Sequence, residues 1–343
     1  MTPADLLGAV ILSALIAYAL LAGADFGGGV WDLLASGTRK AEQRRLIEHA
    51  IGPIWEANHV WLILVVVVLF TGFPPAFAAV STTLFLPLVL LLVGIVLRGA
   101  AFTFRTYDAH DDRVQARWGL IFSASSTLAP LLLGLVVGAL ASGRLRVGAD
   151  GAPLAGQLAA FSPFTLATGL FACVLFAFLA ATYLAVEAAG PLAEDFRRRA
   201  LAAAVAVFAT AAASLALSRA EAPLVFAGLT ARRWSVLLHL ATGAAAVTAF
   251  GALLARRPRL ARAAAIAQVT LIVVGWGASQ YPYVVVPDVT LASASGPRAT
   301  QVALLVALAA GAVLLFPSLY LLFRIFKGER PFSVVDRRPA RRG

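Results

Sequence analysis

Apolar residues form nine long segments along the 343-residue chain, and short connections rich in polar residues, glycine or proline separate them. A helix of about 20 apolar residues crosses a bilayer, and each segment is close to that length or longer. Helices are expected because a segment in lipid must pair its own backbone groups, and the short alternating segments of a membrane β-barrel are absent. The predicted fold class is an all-α integral membrane protein with nine transmembrane helices. The predicted spans are Leu6–Leu34, Ala50–Thr71, Ala76–Arg98, Trp118–Leu140, Phe161–Glu187, Ala200–Leu217, Trp234–Leu254, Ala263–Val285 and Thr300–Phe326.

Composition agrees with a membrane protein, since 61% of the residues are hydrophobic and only 13% are charged. A soluble domain would have about a quarter of its residues charged. The apolar segments leave no room for a separate soluble domain. We therefore predict a single transmembrane domain over residues 1–326 and a basic cytoplasmic tail over 327–343. The opening residues MTPAD lack a basic region and a clear cleavage site, so the first helix is expected to be retained.

The basic residues predict the orientation of the chain. Of its 28 Lys and Arg residues, 22 fall in the odd-numbered loops and the tail, and six fall on the other side. Cytoplasmic loops of membrane proteins carry such an excess, so the N-terminus is expected outside and the C-terminus in the cytoplasm. The same rule explains the net charge of +11 without nucleic-acid binding. Cys173 is the only cysteine, which excludes disulfides within the chain and Cys-ligated iron–sulfur clusters.

Four carboxylates fall inside the predicted spans, on the half expected to face the cytoplasm; they are Asp25, Asp32, Glu56 and Glu187. A charged group at the bilayer centre costs at least about 2.5–3.5 kcal/mol, so each needs a partner, water or protonation. At about 1.5 Å per residue, Glu56 lies about 9 Å and His59 about 13 Å along the second helix. This depth makes Glu56 a candidate proton carrier, with Asp25, His59 and Asn58 as further members of the path. The alternative is that these groups only hydrogen-bond neighbouring helices, and for Asp32 and Glu187, near helix ends, a structural role is preferred.

The stretch GADFGGGVW contains Gly23 and Gly27, a pair of small residues four apart that favours close helix packing. Packing does not explain Asp25 between them.

Ligands for a cofactor are few, since only His59 and His239 lie well inside spans and the one methionine is Met1. Several haems in this chain are therefore not expected, and no metal-binding, phosphate-binding or nucleophile motif is present. We predict no metal site and no catalytic residue in this chain.

Several motifs together resemble subunit II of the cytochrome bd-type quinol oxidases. They are GADFGGGVWDLL, a basic loop, IGPIWEANHVWLI, TGFPPAF, and YPYVVVP in the predicted eighth helix. The resemblance implies two four-helix bundles plus one additional helix, in the bacterial inner membrane. It also implies a terminal respiratory oxidase that oxidises quinol and reduces dioxygen to water. In that family haem b, haem d and the quinol site belong to subunit I, which pairs with a haem-free subunit II in a pseudo-symmetric heterodimer.

The resemblance also implies roles for residues of the second helix. Glu56, which follows Trp55, matches an acid on a proton path through the subunit interface. Trp61 lies by a proposed hydrophobic route for oxygen, and Trp55 belongs to that route or to the interface. The common form of the motif is WDGNQ, whereas this chain has Glu56, Ala57 and His59, and the histidine resembles the cyanide-insensitive branch. The resemblance leaves open a small accessory subunit, and a structural quinone or lipid in this chain besides the surrounding membrane lipids.

Two other functions remain as alternatives. A proton-coupled secondary transporter would use Asp25 and Glu56, although the inverted repeats and broken helices of such transporters are not evident. A purely structural subunit would use its intramembrane acids only for assembly.

Overall fold

The computed structural model describes residues 2–52, 55–107, 112–148, 154 and 156–327. Within these residues, nine helices are long and apolar enough to cross a membrane, which confirms the predicted fold class. The tail predicted over 327–343 lies outside the described residues beyond Lys327.

The helices are labelled in chain order. The first four spans are α1 (Pro3–Leu33), the pair α3 (Trp55–Asn58) and α4 (Val60–Gly72), α6 (Phe85–Tyr107) and α7 (Asp112–Ala141). The next four spans are α8 (Pro163–Glu187), α9 (Gly190–Glu221), α11 (Arg233–Leu254) and α12 (Pro258–Gln280), and the ninth is α13 (Arg298–Lys327). The shorter elements are α2 (Lys40–Ile51), α5 (Pro74–Thr83), a 3₁₀ turn (Gln157–Ala160), α10 (Pro223–Thr230), β1 (Tyr283–Val285) and β2 (Val289–Thr290).

The first and second groups of four spans each pack together, and they meet where α1 and α7 contact α8. The main core follows this contact and is built from α1, α7 and α8 side chains such as Phe26, Phe122 and Phe178. The ninth span, α13, packs mainly against α1 and α4, and most of its apolar side chains are exposed in the isolated chain. Such faces suit lipid or a partner, because an exposed apolar surface is stable in a bilayer.

The sequence-based prediction for Arg98 was wrong. It was the last residue of the predicted third span and was counted among the 22 basic residues of the cytoplasmic side, but α6 continues nine residues further to Tyr107 and Arg98 is 1% exposed. The helix continues because Gly99, Ala100, Ala101 and Phe102 after the arginine are again small or apolar. When hydropathy alone is considered, a charged residue inside a span is mistaken for the end of that span.

The YPYVVVP stretch is also placed differently from the prediction. Helix α12 ends at Gln280, and β1 and β2 follow as an antiparallel hairpin in which Tyr283 pairs with Thr290 and Val285 with Val289. Pro282 and Pro287 lack the N–H that a helix interior requires, which ends the helix despite the apolar valines. The Val286 N–H donates to the Leu140 carbonyl at 3.1 Å and so holds the hairpin against the end of α7.

Charged side chains join the elements at both ends of the bundle. At one end Arg39 binds Asp195 through two hydrogen bonds, which ties the loop before α2 to the start of α9. At the other end Arg146 binds Asp288 of the hairpin at 2.8 Å, and Tyr281 donates to Asp5 at 3.1 Å. The hydrogen bonds from Arg146 lower the pKa of Asp288, and the Asp5 carboxylate raises the pKa of Tyr281.

Candidate functional site: an intramembrane polar cluster

Asp25 lies at the centre of a polar cluster inside the first group of spans. Its side chain is buried and accepts a hydrogen bond from Asn58 Nδ2 at 2.5 Å, which links α1 to α3. Asn58 is itself 1% exposed. The sequence interpretation placed Asn58 on a proton path with Glu56 and His59, and its described partner is the aspartate of the first helix.

Arg98 supplies the positive charge that this carboxylate needs. The guanidinium of Arg98 interacts electrostatically with Asp25. Its carbon atom lies 4.9 Å from the Phe26 ring centroid, 5.6 Å from that of Phe122 and 5.8 Å from that of Trp55. Aromatic faces attract cations, and this attraction grows where water is excluded. The sequence interpretation missed Arg98; the signal available was the seven-residue interval that separates both Asp25 from Asp32 and Arg98 from Arg105.

His59 occupies the junction where α3 ends and α4 begins. The Tyr18 hydroxyl lies 3.4 Å from His59 Nδ1, and the ring centroids of Tyr18, Phe26 and Trp55 lie 5.9, 6.0 and 6.2 Å from that of the imidazole. The imidazole is therefore half-buried in an aromatic shell that also surrounds Arg98. The imidazole lies toward the inside of the bundle, whereas the Glu56 side chain is exposed.

Glu56 points away from this cluster. Its side chain is exposed in the isolated chain, and no other described residue forms a hydrogen bond or ion pair with it. The exposed positions continue along one face of the helix at intervals of three and four residues. They are Glu56, Val60, Ile63, Val67 and Phe70. A carboxylate on an otherwise apolar face is a feature that lipid alone would not stabilise.

The remaining predicted site residues lie around the cluster. Trp55 is half-buried and packs against Phe102 and Gly99 of α6. Trp61 is half-buried beside Phe316 of α13, with ring centroids 6.4 Å apart. On α1, Gly23 and Gly27 lie directly against Phe176 of α8, where an added methyl group would collide with that residue.

Asp32 forms a second buried cluster nearer the end of α1. It is fully buried although it lies near the helix end. Arg105 Nη1 lies 3.1 Å from it, Arg44 lies 3.8 Å from it, and the Ser123 hydroxyl donates to it at 2.5 Å. Helices α2, α6 and α7 are thus joined to α1 through one carboxylate.

No group of three or more His, Cys, Asp or Glu side chains in the described ranges converges as a metal site would require. His239 is exposed on α11, and its Nδ1 lies 2.6 Å from the Ser235 carbonyl of its own helix. His59 and His239 are therefore not brought together.

A helical membrane protein with a buried acid–arginine pair beside an outward-facing carboxylate is typical of proteins that manage protons or ions within the bilayer. The particular family is shown by the model for cytochrome bd terminal oxidase subunit II, which matches residues 4–326. The chain belongs to this family, and the resemblance drawn from its motifs is confirmed.

Individual relatives agree with this assignment. The chain is 33% identical over 121 residues to the cytochrome bd ubiquinol oxidase subunit 2 of Bacillus subtilis, a match covering 35% of each protein. It is 27% identical over 185 residues to the cytochrome bd-I ubiquinol oxidase subunit 2 of Escherichia coli K12, covering 52% of this chain and 47% of that protein. A second Bacillus subtilis relative, also a subunit II by name, is 24% identical over 330 residues, with 92% and 93% covered.

A solved structure shares the fold. A chain of the bd oxidase from Geobacillus thermodenitrificans superposes with a TM-score of 0.80 at 24% identity, covering 96% of this chain and 100% of that one. Family membership and the apolar helices together identify a bacterial inner-membrane protein.

Proposed function

We propose that this chain is the haem-free subunit II of a terminal quinol oxidase that reduces dioxygen to water. In this proposal subunit I holds haem b and haem d and oxidises the quinol, and this chain supports it and provides access for protons and oxygen. The isolated chain is then not catalytic. Family membership over residues 4–326 supports the oxidase, and the outward position of Glu56 supports the proton role.

The exposed face of α3 and α4 is the proposed contact with subunit I. A charged carboxylate facing hydrocarbon costs at least about 2.5–3.5 kcal/mol, so the assembled complex must cover Glu56 or bring water to it. The apolar positions that continue the same face, Ile63 and Phe70 among them, provide surface for a helix of the partner. Glu56 would then deliver protons into the partner subunit across this contact.

The buried residues have supporting roles in this proposal. Asp25 and Asn58 hold α1 and α3 together and keep a polar environment behind Glu56. His59 lies beside Tyr18, where it can accept or donate a hydrogen bond at the turn between α3 and α4. Trp55 and Trp61 form the aromatic border of the same region, where the proposed oxygen route and the subunit contact meet.

The proposed orientation has the N-terminus outside and the C-terminus in the cytoplasm. The end of the bundle that carries Arg39, Arg44 and Arg105 is then cytoplasmic, in agreement with the excess of positive charge there. Glu56 and Asp32 lie toward that end, so protons from the cytoplasm would reach them first.

The decisive experiment replaces Glu56 with glutamine in the assembled oxidase. A relay carboxylate contributes by positioned proton transfer, so Glu56→Gln is expected to slow oxygen reduction by about 10²-fold. Glu56→Asp, which keeps the carboxylate, should restore much of the rate. Haem spectra and the subunit ratio should stay normal, because the glutamine retains the shape of the side chain.

A matched control is Glu42→Gln on α2, which lies outside the spans and should not change turnover. Unchanged turnover in Glu56→Gln would contradict the proton role and support a purely structural subunit.

A further inference from the structure

Three arginines converge on one carboxylate at the place where α9 begins and α11 ends. Arg197 holds Glu194 with two hydrogen bonds of 2.8 and 2.7 Å, and Arg198 Nε donates to the same carboxylate at 3.2 Å. Arg256 Nε, from the connection between α11 and α12, lies 3.7 Å from it. One negative charge thus faces three positive charges. This arginine corner, formed by Glu194, Arg197, Arg198 and Arg256, therefore keeps a surplus of positive charge.

Arg197 differs from the other two arginines in its contacts. Its side chain is 19% exposed, and its remaining donor reaches the Leu253 carbonyl at 3.1 Å, which joins the last turn of α11 to α9. The side chains of Arg198 and Arg256 are each 75% exposed, and the nearest contact of each to Glu194 is made by Nε. Within the described residues, their Nη atoms form no hydrogen bond. A guanidinium has five N–H donors, so these two arginines direct most of their donors outward.

The backbone at Arg256 also points to a role for its side chain. Arg256 has a φ of 56°, in the left-handed region that glycine adopts most easily. Its N–H donates to the Leu253 carbonyl at 3.2 Å, and the N–H of Arg257 donates to the Ala252 carbonyl at 2.8 Å. This pattern ends many helices, usually with glycine at the left-handed position. An arginine there accepts backbone strain that glycine would avoid, and its side chain reaches back to Glu194.

The arginine corner lies at the depth of the lipid headgroups. Helix α9 has 32 residues and is about 48 Å long at about 1.5 Å per residue, whereas the hydrocarbon core is about 30 Å thick. The apolar run of α9 starts at Ala200, so the preceding turns, which carry Glu194 and Arg198, extend beyond the hydrocarbon. The connection that carries Arg256 lies at the same level, because Arg256 contacts Glu194.

Exposed apolar side chains lead from this corner into the membrane. On α9, Val205 lies seven residues after Arg198, about two helical turns, and so shares its face. On α11, Val247 and Leu254 are exposed, and the chain reaches Arg256 two residues after Leu254. A ligand with an anionic head and apolar chains matches both parts of this surface.

We propose that Arg198 and Arg256 bind the phosphodiester of one anionic phospholipid of the phosphatidylglycerol type, whose acyl chains lie along the exposed faces of α9 and α11. Glu194 holds the two arginines side by side through Nε, which leaves the Nη donors for phosphate oxygens. Arginine suits this task because its planar fork can donate two parallel hydrogen bonds to a phosphate.

The charge of the corner selects the kind of lipid. Basic sites at the ends of membrane helices attract anionic headgroups, above all on the cytoplasmic side, to which the proposed orientation assigns this end. A zwitterionic lipid carries a cationic group beside its phosphate, and the surplus of positive charge at the arginine corner repels that group. The lipid site involves neither Glu56 nor the reduction of oxygen.

The first test measures lipid binding to the delipidated, purified complex by native mass spectrometry. Phosphatidylglycerol or phosphatidylcholine is added to the wild type and to the double variant Arg198→Gln/Arg256→Gln. An arginine near an anionic headgroup contributes about fivefold in affinity, so the double variant is expected to bind phosphatidylglycerol about 25-fold more weakly. Equal binding of the two lipids by the wild type, or equal binding of phosphatidylglycerol by the two proteins, would overturn the proposal.

The matched control is the double variant Arg232→Gln/Arg233→Gln. Both arginines are exposed at the opposite end of α11, so the control removes the same charge without touching the arginine corner. It should bind phosphatidylglycerol as the wild type does. An equal loss in the control would show that positive charge in general attracts the lipid, and no site at the corner would be needed.

Arg256→Gly is a second variant that should retain the fold. Glycine adopts the left-handed conformation without strain, and Arg197 keeps its bonds to Glu194 and to the Leu253 carbonyl. Its affinity for phosphatidylglycerol should fall about fivefold. Unchanged affinity would show that Arg256 does not bind the phosphate, and the proposed pair would fail.

A cryo-electron microscopy map of the wild-type complex in phosphatidylglycerol nanodiscs locates the lipid directly. Headgroup density is expected about 2.7–3.2 Å from Nη atoms of both Arg198 and Arg256. A protein chain in that place, or headgroup density on neither arginine, would overturn the site. None of these measurements uses turnover, so the rate of Glu56→Gln decides the oxidase proposal separately.

Discussion

Arg98 brings a positive charge into the interior of the bundle, where Asp25 and three aromatic rings surround it. A buried ion pair is weak evidence for stability, because removing two charges from water costs about as much as their attraction returns. Breaking it is different, since the remaining charge loses its partner. The pair therefore constrains α1 and α6 to one mutual arrangement.

Replacing only Arg98 should destabilise the oxidase more than replacing both partners. Arg98→Met leaves Asp25 uncompensated and is expected to cost about 3–5 kcal/mol, whereas Arg98→Met combined with Asp25→Asn should recover part of that loss. Thermal unfolding of the detergent-purified complex measures both. A double variant less stable than Arg98→Met alone would show that Asp25 and Arg98 do not act as a pair.

At this scale the sequence identified the acids, the amide and the histidine but not their partners. Asp25, Glu56, Asn58 and His59 stood out because polar groups in an apolar helix are rare. Their partners depend on which helices meet, and only the matching seven-residue intervals from Asp25 to Asp32 and from Arg98 to Arg105 suggested that Arg98 would face α1. The outward direction of Glu56 was not predictable for the same reason. The helix is interrupted at His59, between α3 and α4, close to Glu56.

Among the elements, the contact between α1 and α8 depends on glycine at the point of closest approach. Gly27 faces the Phe176 carbonyl and Ala180 Cβ, and Trp31 donates to the Ala177 carbonyl at 2.7 Å one turn further on. Small residues permit such approach, and the resulting packing is a main source of stability in lipid. The sequence therefore allowed the GADFGGG motif to be interpreted as a packing motif. It did not indicate which helix the motif contacts.

Adding one methyl group at this contact should separate the helices. Gly27→Ala is expected to destabilise the protein by about 1–3 kcal/mol, the usual cost of overpacking. Gly243→Ala is the matched control, because nothing in this chain lies within 4 Å of the added methyl group on α11. Thermal midpoints of the two purified variants provide the comparison, and equal midpoints would contradict a close α1–α8 contact.

The hairpin after α12 should respond to pH through Asp288. Because Arg146 lowers the pKa of Asp288 below its usual value of 3.8, the pair stabilises the folded protein above that pH. This contribution is lost as the pH falls through the folded pKa. Asp288→Asn is expected to lower the thermal midpoint at neutral pH, with the difference from wild type narrowing below pH 3.8.

Arg298→Gln at the exposed start of α13 provides the control for this pH series and should behave as wild type. A constant difference for Asp288→Asn across the whole pH range would contradict the role of the ionised pair.

The hairpin itself was not predicted from the sequence, because its valines extended the apolar run of α12. The two prolines were the local signal that could have separated it.

Across the whole molecule, the number of spans was predictable because hydropathy depends on composition over about 20 residues. The boundaries of the spans were less predictable, because α9 begins ten residues before the predicted span. Its charged first turns are fixed by pairs such as Arg197 with Glu194, which a hydropathy pattern does not detect. The grouping into two sets of four followed only from the family resemblance.

The proposed orientation can be checked with single cysteines in a Cys173→Ser background. Arg257→Cys and Ala292→Cys lie at exposed positions on opposite ends of the bundle. A membrane-impermeant maleimide should label Ala292→Cys in intact spheroplasts and Arg257→Cys only in inverted vesicles, as the charge distribution predicts. The reverse pattern would invert the topology and place Asp32 and Glu56 on the outer side.

The pairing of Asp25 with Arg98 also has a consequence for biogenesis. The ribosome makes α1 well before α6, so each helix enters the membrane with an unmatched charge that costs about 2.5–3.5 kcal/mol near the bilayer centre. The high mean hydropathy of 2.3 for both spans can offset that cost during insertion. Neutralisation comes only when the two helices associate, so the nascent subunit retains two unpaired charges in lipid until its first bundle closes.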